Sequence, residues 1–281
     1  MTDSQKPILI LGATGCVGRA LRRVWSGDAR AAPAVLWQRR DAAQHPGDVV
    51  WDILNGAAPD LPPLAGIVSL AGVTRGDALS DNTALARAAC DLAQHQGCRL
   101  LVASSQAVYA ASPALGRRDL TEDDANGDPQ GYGGAKLAME AAVAAHPHDD
   151  TCCLRIANVA GCDMLLKVAA SGDVWLDRFA DGTGPLRHYI GPVTLARVLR
   201  TLLARDGPLP RAVNLAQPGP VAMADLLGAA GVPFAWQDAP STALPRMTLD
   251  LTRLAALCRL PAATPAGLIA EGRAGGWTPV S

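Results

Sequence analysis

A tyrosine and a lysine spaced for acid–base chemistry lie near the middle of this 281-residue chain. Tyr132 and Lys136 stand four residues apart, at the start of an apolar run that predicts a helix from Tyr132 to Ala145. That spacing puts both side chains on one face of a helix. A lysine ammonium roughly 6 Å from a phenol lowers the phenol's pKa by about two units at an effective dielectric of about 20. The pair can therefore supply a general acid or base near neutral pH, although a solvated surface pair has the same spacing.

A glycine-rich turn near the N-terminus predicts a phosphate-binding site. Ile8-Leu9-Ile10-Leu11 has the pattern of a buried strand and runs into Gly12-Ala13-Thr14-Gly15-Cys16-Val17-Gly18, before a helix expected from Val17 to Trp25. Glycines at these positions let the backbone turn tightly, approach a pyrophosphate and pack the helix on the strand. The first amides of the helix then face the phosphates. Cys16 is interpreted as no more than a small side chain in this turn.

Two later strands are expected to end in polar side chains. The segment 101–109 predicts a strand that ends at Ser104 and Ser105, and the segment 154–161 predicts one that ends near Asn158. Ligands of open parallel sheets bind beyond the carboxyl ends of the strands. We therefore expect the Ser105 hydroxyl beside Tyr132, where it can bind a substrate oxygen. For Ser104, capping of the following turn is an equal alternative.

The order of these motifs resembles a known family. Along the chain stand Gly-x-x-Gly-x-x-Gly, Asp52-Ile53, Ala71-Gly72, Asn82, Ser-Ser-x-x-Val-Tyr, Tyr-x-x-x-Lys and Leu-Arg-x-x-Asn-Val-x-Gly. The chain resembles an extended short-chain dehydrogenase/reductase of the NAD-dependent epimerase/dehydratase family, which includes UDP-glucose 4-epimerase. The resemblance implies an α/β fold, a doubly wound parallel sheet of the Rossmann type. Residues 1–160 would form the NAD(P)-binding domain, and residues 161–281 a smaller, interleaved substrate-binding region.

The resemblance also implies the site residues. The catalytic set would be Ser105, Tyr132 and Lys136. Residues of the cofactor site would be Gly12, Thr14, Gly15, Cys16, Val17, Gly18, Gln38, Arg39, Arg40, Asp52, Ile53, Leu70, Ala71, Gly72, Ala103, Tyr132, Lys136 and Ile156. Those of the substrate site would be Thr74, Ser105, Gln106, Asn158 and Arg187.

The residues after the second predicted strand bear on the choice of cofactor. Gln38 stands where members that prefer NAD usually carry an acidic residue, and Arg39 and Arg40 follow it. Arginine suits the 2′-phosphate of NADP, whereas an acidic residue holds the ribose hydroxyls of NAD. We therefore expect NADP rather than NAD. The alternative is that both arginines are solvated, with Asp41 as a nearby partner.

The substrate region departs from the nucleotide-sugar epimerases in length. The stretch from Gly161 to Arg187 is much shorter than theirs, and their second diphosphate-binding arginine is missing because Arg246 is displaced. We expect a small pocket and hydride transfer to or from a small sugar-like or other carbonyl substrate. Alternatives are a nucleotide-sugar epimerase that retains NAD and a non-catalytic, redox-sensing NAD(P)-binding protein. A dehydratase is disfavoured because Gln106-Ala107 replace the usual Asp-Glu.

The resemblance further implies a homodimer through the Tyr132 helix, which should be buried on more than one side.

Composition excludes several other classes of function. The net charge is -1 with no basic run, which argues against a nucleic-acid partner. No apolar segment reaches the roughly 18 residues of a membrane span, and the first six residues lack the apolar core of a secretion signal, so we expect a cytoplasmic protein without a membrane partner. The seven cysteines show no C-x-x-C spacing. We therefore expect neither a metal site nor a disulfide framework.

Overall fold

A seven-stranded parallel sheet forms the centre of the protein within the described residues. The computed structural model describes residues 6–27 and 34–279. The expectation about a secretion signal concerns residues 1–6, most of which lie outside this part of the chain. The strands are β1 (Ile8–Leu11), β2 (Val35–Arg39), β3 (Asp48–Val50), β4 (Gly66–Ser69), β5 (Leu100–Ser105), β6 (Thr151–Ile156), β7 (Asn158–Val159), β8 (Val174–Arg178), β9 (Leu186–Arg187), β10 (Tyr189–Ile190), β11 (Ala212–Leu215), β12 (Val221–Ala222), β13 (Phe234–Asp238) and β14 (Arg246–Met247). The helices are α1 (Cys16–Gly27), α2 (Asp81–Gln96), α3 (Tyr132–Ala144), α4 (Met164–Ala169), α5 (Pro192–Leu203), α6 (Met223–Ala230), α7 (Thr252–Leu257) and α8 (Pro265–Ala274).

The central sheet has the strand order β11-β6-β5-β4-β1-β2-β3, and every pair in it is parallel. Its strands are short apolar runs because helices cover both faces. Side chains alternate along β1: Ile8 and Ile10 pack with α1 and α5, whereas Leu9 and Leu11 pack with α2 and α3. The predicted doubly wound, Rossmann-type fold is confirmed.

The second half of the chain contributes to both the central sheet and a smaller layer. β11 pairs with β6 at the edge of the central sheet, and α5 packs against α1. The strands β7–β10 and β12–β14 form three small sheets over a separate apolar cluster. The smaller region is therefore interleaved with the central sheet through β11 and α5.

The burial of α3 differs from the expectation. Its buried residues are Gly133, Lys136, Met139 and Val143, which recur every three or four positions and form one face. The expectation of burial on more than one side was wrong for the single chain, because alanines such as Ala138 and Ala141 remain exposed. In the described part of the chain, no helix is long and apolar enough to cross a membrane.

Candidate active site

The glycine turn after β1 is shaped by close backbone packing. Gly12 has a φ of 79°, and a Cβ atom there would lie 2.6 Å from the Ala71 amide nitrogen at the end of β4. A Cβ atom on Gly18 would lie 2.6 Å from the Ala13 carbonyl oxygen. At Gly15 a Cβ atom would meet only the Gly12 carbonyl oxygen, at 3.4 Å. Gly12 and Gly18 thus close the turn on its neighbours, and Gly15 leaves room for a ligand.

Tyr132 and Lys136 lie against the end of β5 because the two residues that follow the tyrosine in the first turn of α3 are glycines. A Cβ atom on Gly133 would overlap the carbonyl of Ala107, just after β5, and one on Gly134 would overlap the carbonyl of Asp128. Only glycine lets the helix approach both backbones this closely. The sequence between the tyrosine and the lysine therefore fixes where α3 meets the strand.

The three predicted catalytic side chains meet at this junction. Lys136 donates a hydrogen bond from Nζ to the Ala103 carbonyl oxygen at 2.9 Å, and its Nζ lies 5.8 Å from the centre of the Tyr132 ring. The Ser105 hydroxyl accepts a hydrogen bond from the Ala107 amide at 3.2 Å and also interacts with the Tyr132 phenol. Ser105 thus caps the next turn while presenting its hydroxyl to the tyrosine.

The electrostatics of the pair differ from the expectation. Burial raises the pKa of the Tyr132 phenol above its usual value of 10.0, and the hydrogen bond with Ser105 offsets only part of that rise. Burial also lowers the pKa of Lys136 to about 8. The expected lowering of the tyrosine pKa by lysine was therefore wrong for the protein alone. Desolvation favours the neutral form of both groups, and the Lys136 ammonium is hydrogen-bonded to the Ala103 carbonyl oxygen.

Two adjoining cavities surround these groups and the glycine turn. The larger, of about 480 Å³, brings together the catalytic set and most of the predicted substrate residues: Gly12, Gly15, Cys16, Val17, Gly18, Leu70, Gly72, Thr74, Ala103, Ser105, Gln106, Tyr132, Lys136, Ile156 and Asn158. The smaller, of about 250 Å³, brings together Gly12, Thr14, Gly15, Gln38, Arg39, Arg40, Asp52, Ile53, Leu70, Ala71 and Gly72. The shared glycines place both cavities along one edge of the sheet, as an elongated dinucleotide requires.

The residues after β2 are more buried than the sequence indicated. The Gln38 side chain accepts a hydrogen bond from the Gly12 amide at 2.8 Å and donates one to the Trp51 carbonyl oxygen at 2.5 Å. Arg39 is 7% exposed and pairs with Asp48 at 3.3 Å, while its Nε has no hydrogen-bond partner among the described residues. Of the two arginines, only Arg40 is exposed. The alternative in which both are solvated beside Asp41 does not describe Arg39.

Arg187 is the one predicted site residue that lies away from both cavities. Its guanidinium donates hydrogen bonds to the carbonyl oxygens of Leu186 at 2.9 Å, Leu244 at 2.7 Å and Pro245 at 3.3 Å. Leu186 belongs to β9, and Leu244 and Pro245 directly precede β14, so Arg187 ties β9 to the segment that leads into β14. The structure does not bring it to the catalytic set.

The sequence missed several residues of the larger cavity and one covalent bond. Among these residues, Cys162 and Asp163 lie between β7 and α4, and Lys167 lies on α4. Cys162 forms a disulfide with Cys16, across a sequence separation of 146 residues. The interpretation of Cys16 as no more than a small side chain was therefore wrong. Spacing could not reveal this bond, because its two cysteines become neighbours only when the segment after β7 packs against the start of α1.

A buried polar network lies behind the catalytic residues Ser105, Tyr132 and Lys136. Ser104 donates a hydrogen bond to a carboxylate oxygen of Glu140, so its side chain joins β5 to α3. Arg155 pairs with the same carboxylate at 2.7 Å and donates to the Tyr109 hydroxyl at 3.1 Å. Tyr109 in turn hydrogen-bonds Asn214 of β11. The network links β5, α3, β6 and β11 behind the catalytic residues.

In the described residues, no group of three or more His, Cys, Asp or Glu side chains is arranged to hold a metal ion.

This combination of a Rossmann-type sheet, a glycine turn and a Ser, Tyr and Lys set is that of an extended short-chain dehydrogenase/reductase. The NAD dependent epimerase/dehydratase family matches residues 8–170, more than half of the chain, and the protein belongs to that family. It is accordingly an enzyme of the NAD-dependent oxidoreductase and epimerase type. A comparison with curated proteins found no significant match.

Solved structures with the same fold include nucleotide-sugar enzymes of low sequence identity. UDP-glucose 4-epimerase from Brucella ovis, in complex with NAD, is 18% identical with a TM-score of 0.74, over 94% of this chain and 96% of that one. UDP-N-acetylglucosamine 4-epimerase from Bacillus cereus is 16% identical with a TM-score of 0.72, over 95% and 98%. An NAD-dependent NDP-hexosamine 5,6-dehydratase of tunicamycin biosynthesis is 17% identical with a TM-score of 0.70, over 95% and 96%. At these identities the likeness concerns the fold.

Proposed function

We propose that this protein is an NADP(H)-linked reductase or dehydrogenase of a small sugar-like or other carbonyl substrate. One observation carries the proposal: Ser105, Tyr132 and Lys136 line the same cavity of about 480 Å³ as the glycine turn. A cavity of this size has to hold the nicotinamide end of the cofactor as well as the substrate. The space that remains favours a substrate without a nucleotide.

The residues of both cavities fit a nicotinamide dinucleotide. The pyrophosphate would lie beside Gly15 at the N-terminus of α1, where a glycine leaves room and helix amides point at the ligand. The adenosine end would occupy the smaller cavity, with Asp52 and Ile53 near the adenine. Lys136 would hold the nicotinamide ribose. The cofactor would supply or accept a hydride at C4 of its nicotinamide ring.

The protonation state of Tyr132 supports carbonyl reduction at neutral pH. Because burial raises its pKa, the phenol keeps its proton at pH 7 and can donate it to a carbonyl oxygen. The Ser105 hydroxyl interacts with this phenol and would bind the same oxygen. Gln106 and Asn158, which hydrogen-bond each other at 3.3 Å, would orient the rest of the substrate.

We expect the pH profiles of the two reaction directions to differ. Reduction needs the protonated phenol and should stay roughly constant between about pH 6 and pH 7, below the Lys136 pKa of about 8. Alcohol oxidation needs the phenolate, whose fraction rises about tenfold per pH unit below the raised pKa of Tyr132, so its kcat/KM should rise steeply over the same range. Initial rates in both directions at matched ionic strength measure this. Oxidation rates independent of pH would contradict the assignment of Tyr132 as the base.

The preference for NADP is proposed from Arg39 and Arg40, which line the smaller cavity. We expect Arg40→Ala to raise the KM for NADPH about tenfold, because a charge-assisted contact with the 2′-phosphate is lost, and to change the KM for NADH less than about twofold. Steady-state kinetics with both cofactors measure this. Arg259→Ala, which removes an exposed arginine elsewhere, is the matched control. An equal effect on both cofactors would argue against a 2′-phosphate contact.

A nucleotide-sugar epimerase that retains NAD is the alternative, and the solved neighbours favour it. The Brucella ovis enzyme, for example, is a UDP-glucose 4-epimerase in complex with NAD. Against this, Arg187, the candidate for the sugar-nucleotide diphosphate, is engaged with three backbone carbonyls. A redox-sensing binding protein without catalysis is the third possibility, and it would have no chemical need for the Ser, Tyr and Lys set.

The decisive experiment is to denature freshly purified protein and identify the released nucleotide by mass spectrometry. Near-stoichiometric NAD⁺ would favour the epimerase and overturn the NADP preference. An empty site or substoichiometric NADP(H) would favour the reductase, and turnover of small carbonyl compounds would separate it from the redox sensor.

A homodimer through α3 and a cytoplasmic location complete the proposal. The dimer is supported by the alanines that α3 leaves exposed. A monomer by light scattering at micromolar concentration would contradict it.

A further inference from the structure

The disulfide between Cys16 and Cys162 joins two walls of the larger cavity. Cys16 is the first residue of α1 within the glycine turn, and Cys162 lies between β7 and α4, with the two Cα atoms 5.6 Å apart. Both residues line the larger cavity, and both also line a neighbouring hollow of about 410 Å³. The bond therefore forms part of the boundary between cavity and hollow, and it ties the predicted phosphate-binding turn to the segment that leads into α4.

The other five cysteines lack the environment of a reactive thiol. Cys258 is half-buried, and the remaining four are buried free thiols. Burial raises the pKa of Cys90 and Cys98 to about 11 and that of Cys152 to about 12, and it raises the pKa of Cys153 as well. Thiols that keep their proton at neutral pH are poor nucleophiles. Thiol exchange at these four buried cysteines is therefore slow.

Positive charge lies on one side of this pair. Cys16 stands at the N-terminus of a 12-residue helix, where the helix dipole favours a thiolate. Arg19, Arg23 and Lys167 line the neighbouring hollow, and no acidic side chain is found among the described residues that line it. On the other side, Asp163 follows Cys162 and lines the larger cavity, and burial raises the pKa of its carboxyl to about 6. The helix N-terminus and the cations of the hollow favour a thiolate, which is both the attacking and the leaving group in disulfide exchange. Access from two cavities and these neighbouring cations are the features of a reversible disulfide.

We propose that Cys16 and Cys162 form a reversible redox site whose oxidised state holds the nicotinamide cofactor more tightly than the reduced state. The inference rests on the proposed cofactor site. In the oxidised protein the bond fixes the glycine turn against the segment after β7, so less ordering is required when the cofactor binds. In the reduced protein the two sulfur atoms must move apart from bonding distance to van der Waals contact. The segment that leads into α4 is then no longer tied to α1. Cofactor release is then faster.

Thiols are the class of reductant that this chemistry requires. One thiolate of the reductant attacks a sulfur of the disulfide, forms a mixed disulfide and releases the other cysteine as a thiolate, which takes up a proton. A second thiolate of the reductant, on the same molecule or on another, then breaks the mixed disulfide, and the second cysteine is protonated. The protein gains two electrons and two protons, which the two thiol groups lose on joining in a disulfide. In a cytoplasmic protein such bonds are usually transient or redox-sensing.

Equilibration of the whole protein in glutathione redox buffers tests the proposal. Mass spectrometry of alkylated peptides gives the fraction of Cys16–Cys162 disulfide, and fluorescence titration with NADPH gives the affinity in each state. We expect affinity about tenfold higher in the oxidised state. Because coupling is reciprocal, saturating NADPH should shift the ratio of oxidised to reduced protein by the same factor toward the disulfide. Equal affinities, or no such disulfide in the most oxidising buffer, would overturn the proposal.

Serine variants separate this pair from the other thiols. Cys162→Ser should fix the affinity at the reduced value under all buffers, whereas Cys258→Ser, which alters a half-buried thiol outside both cavities, should keep the full redox response. A redox response that survives in Cys162→Ser would overturn the proposal. If neither NADPH nor NADH binds in either state, the proposed function fails together with the coupling. Binding that is equal in both states removes the coupling alone.

Discussion

Replacing Tyr132 with phenylalanine is expected to lower kcat by about 10²- to 10⁴-fold. The substitution removes the phenol that interacts with Ser105 at the end of β5, so no side chain at that point can exchange a proton with the substrate oxygen. The ring and its contacts with the start of α3 remain, and Lys136 keeps its hydrogen bond to Ala103. Cofactor affinity should therefore stay near that of the unaltered enzyme. Single-turnover rates and NADPH titration measure the two quantities separately.

Tyr189 provides the matched control for this substitution. It is fully buried on β10, and its hydroxyl has no hydrogen-bond partner within residues 6–27 and 34–279. Tyr189→Phe therefore removes the same atom from a position that does not line the catalytic cavity, and it should leave kcat unchanged. Undiminished turnover in Tyr132→Phe would remove Tyr132 from the mechanism. A comparable loss in both variants would mean that the effect is structural.

Arg155→Met is expected to lower the free energy of unfolding by about 3–5 kcal/mol. Arg155 is 5% exposed, and it pairs with Glu140 while donating to the Tyr109 hydroxyl and the Glu122 carbonyl oxygen. Its removal leaves the Glu140 carboxylate buried without its positive partner. Burying an uncompensated charge is far more costly than the net stability that such a pair provides. Urea unfolding followed by circular dichroism measures the loss.

The double variant Glu140→Met with Arg155→Met tests the reason for that loss. Replacing both members of a buried pair by apolar side chains is often close to neutral, so the double variant should be more stable than Arg155→Met alone. Ser104 also donates to Glu140, and that bond is lost in the double variant, so recovery should be incomplete. A double variant less stable than either single one would show that packing, and not the unpaired charge, dominates.

The parts of the site that follow a single strand or turn could be predicted from the sequence. Gly12, Gly15 and Gly18 predicted the turn after β1 because their spacing reports local backbone geometry. Ser105 and Asn158 were expected at one edge because parallel strands share the direction of their carboxyl ends. Both residues line the larger cavity. Residue type and position along one element were sufficient in these cases.

The features that the sequence did not predict depend on contacts between distant segments. Cys16 and Cys162 are 146 residues apart, so no spacing rule brings them together. Arg187 fits a family pattern by position, yet its guanidinium is engaged with carbonyls near β14. The pKa of Tyr132 depends on how deeply the phenol is buried, which the four-residue spacing to Lys136 does not determine. In each case the missing information was the tertiary environment.

The position of β11 bears on how the protein folds while it is being synthesised. β6 pairs on one side with β5, but its other neighbour, β11, is not synthesised until residue 215 has been added. Until then the edge of β6 stays open, and Asn214 is not present to meet the Tyr109 hydroxyl. A nascent chain of 160 residues would contain every predicted catalytic residue and still present an unpaired strand edge to chaperones or to other nascent chains. The sheet that carries the catalytic residues is therefore complete only after the C-terminal third of the chain has begun to be synthesised and β11 has paired with β6.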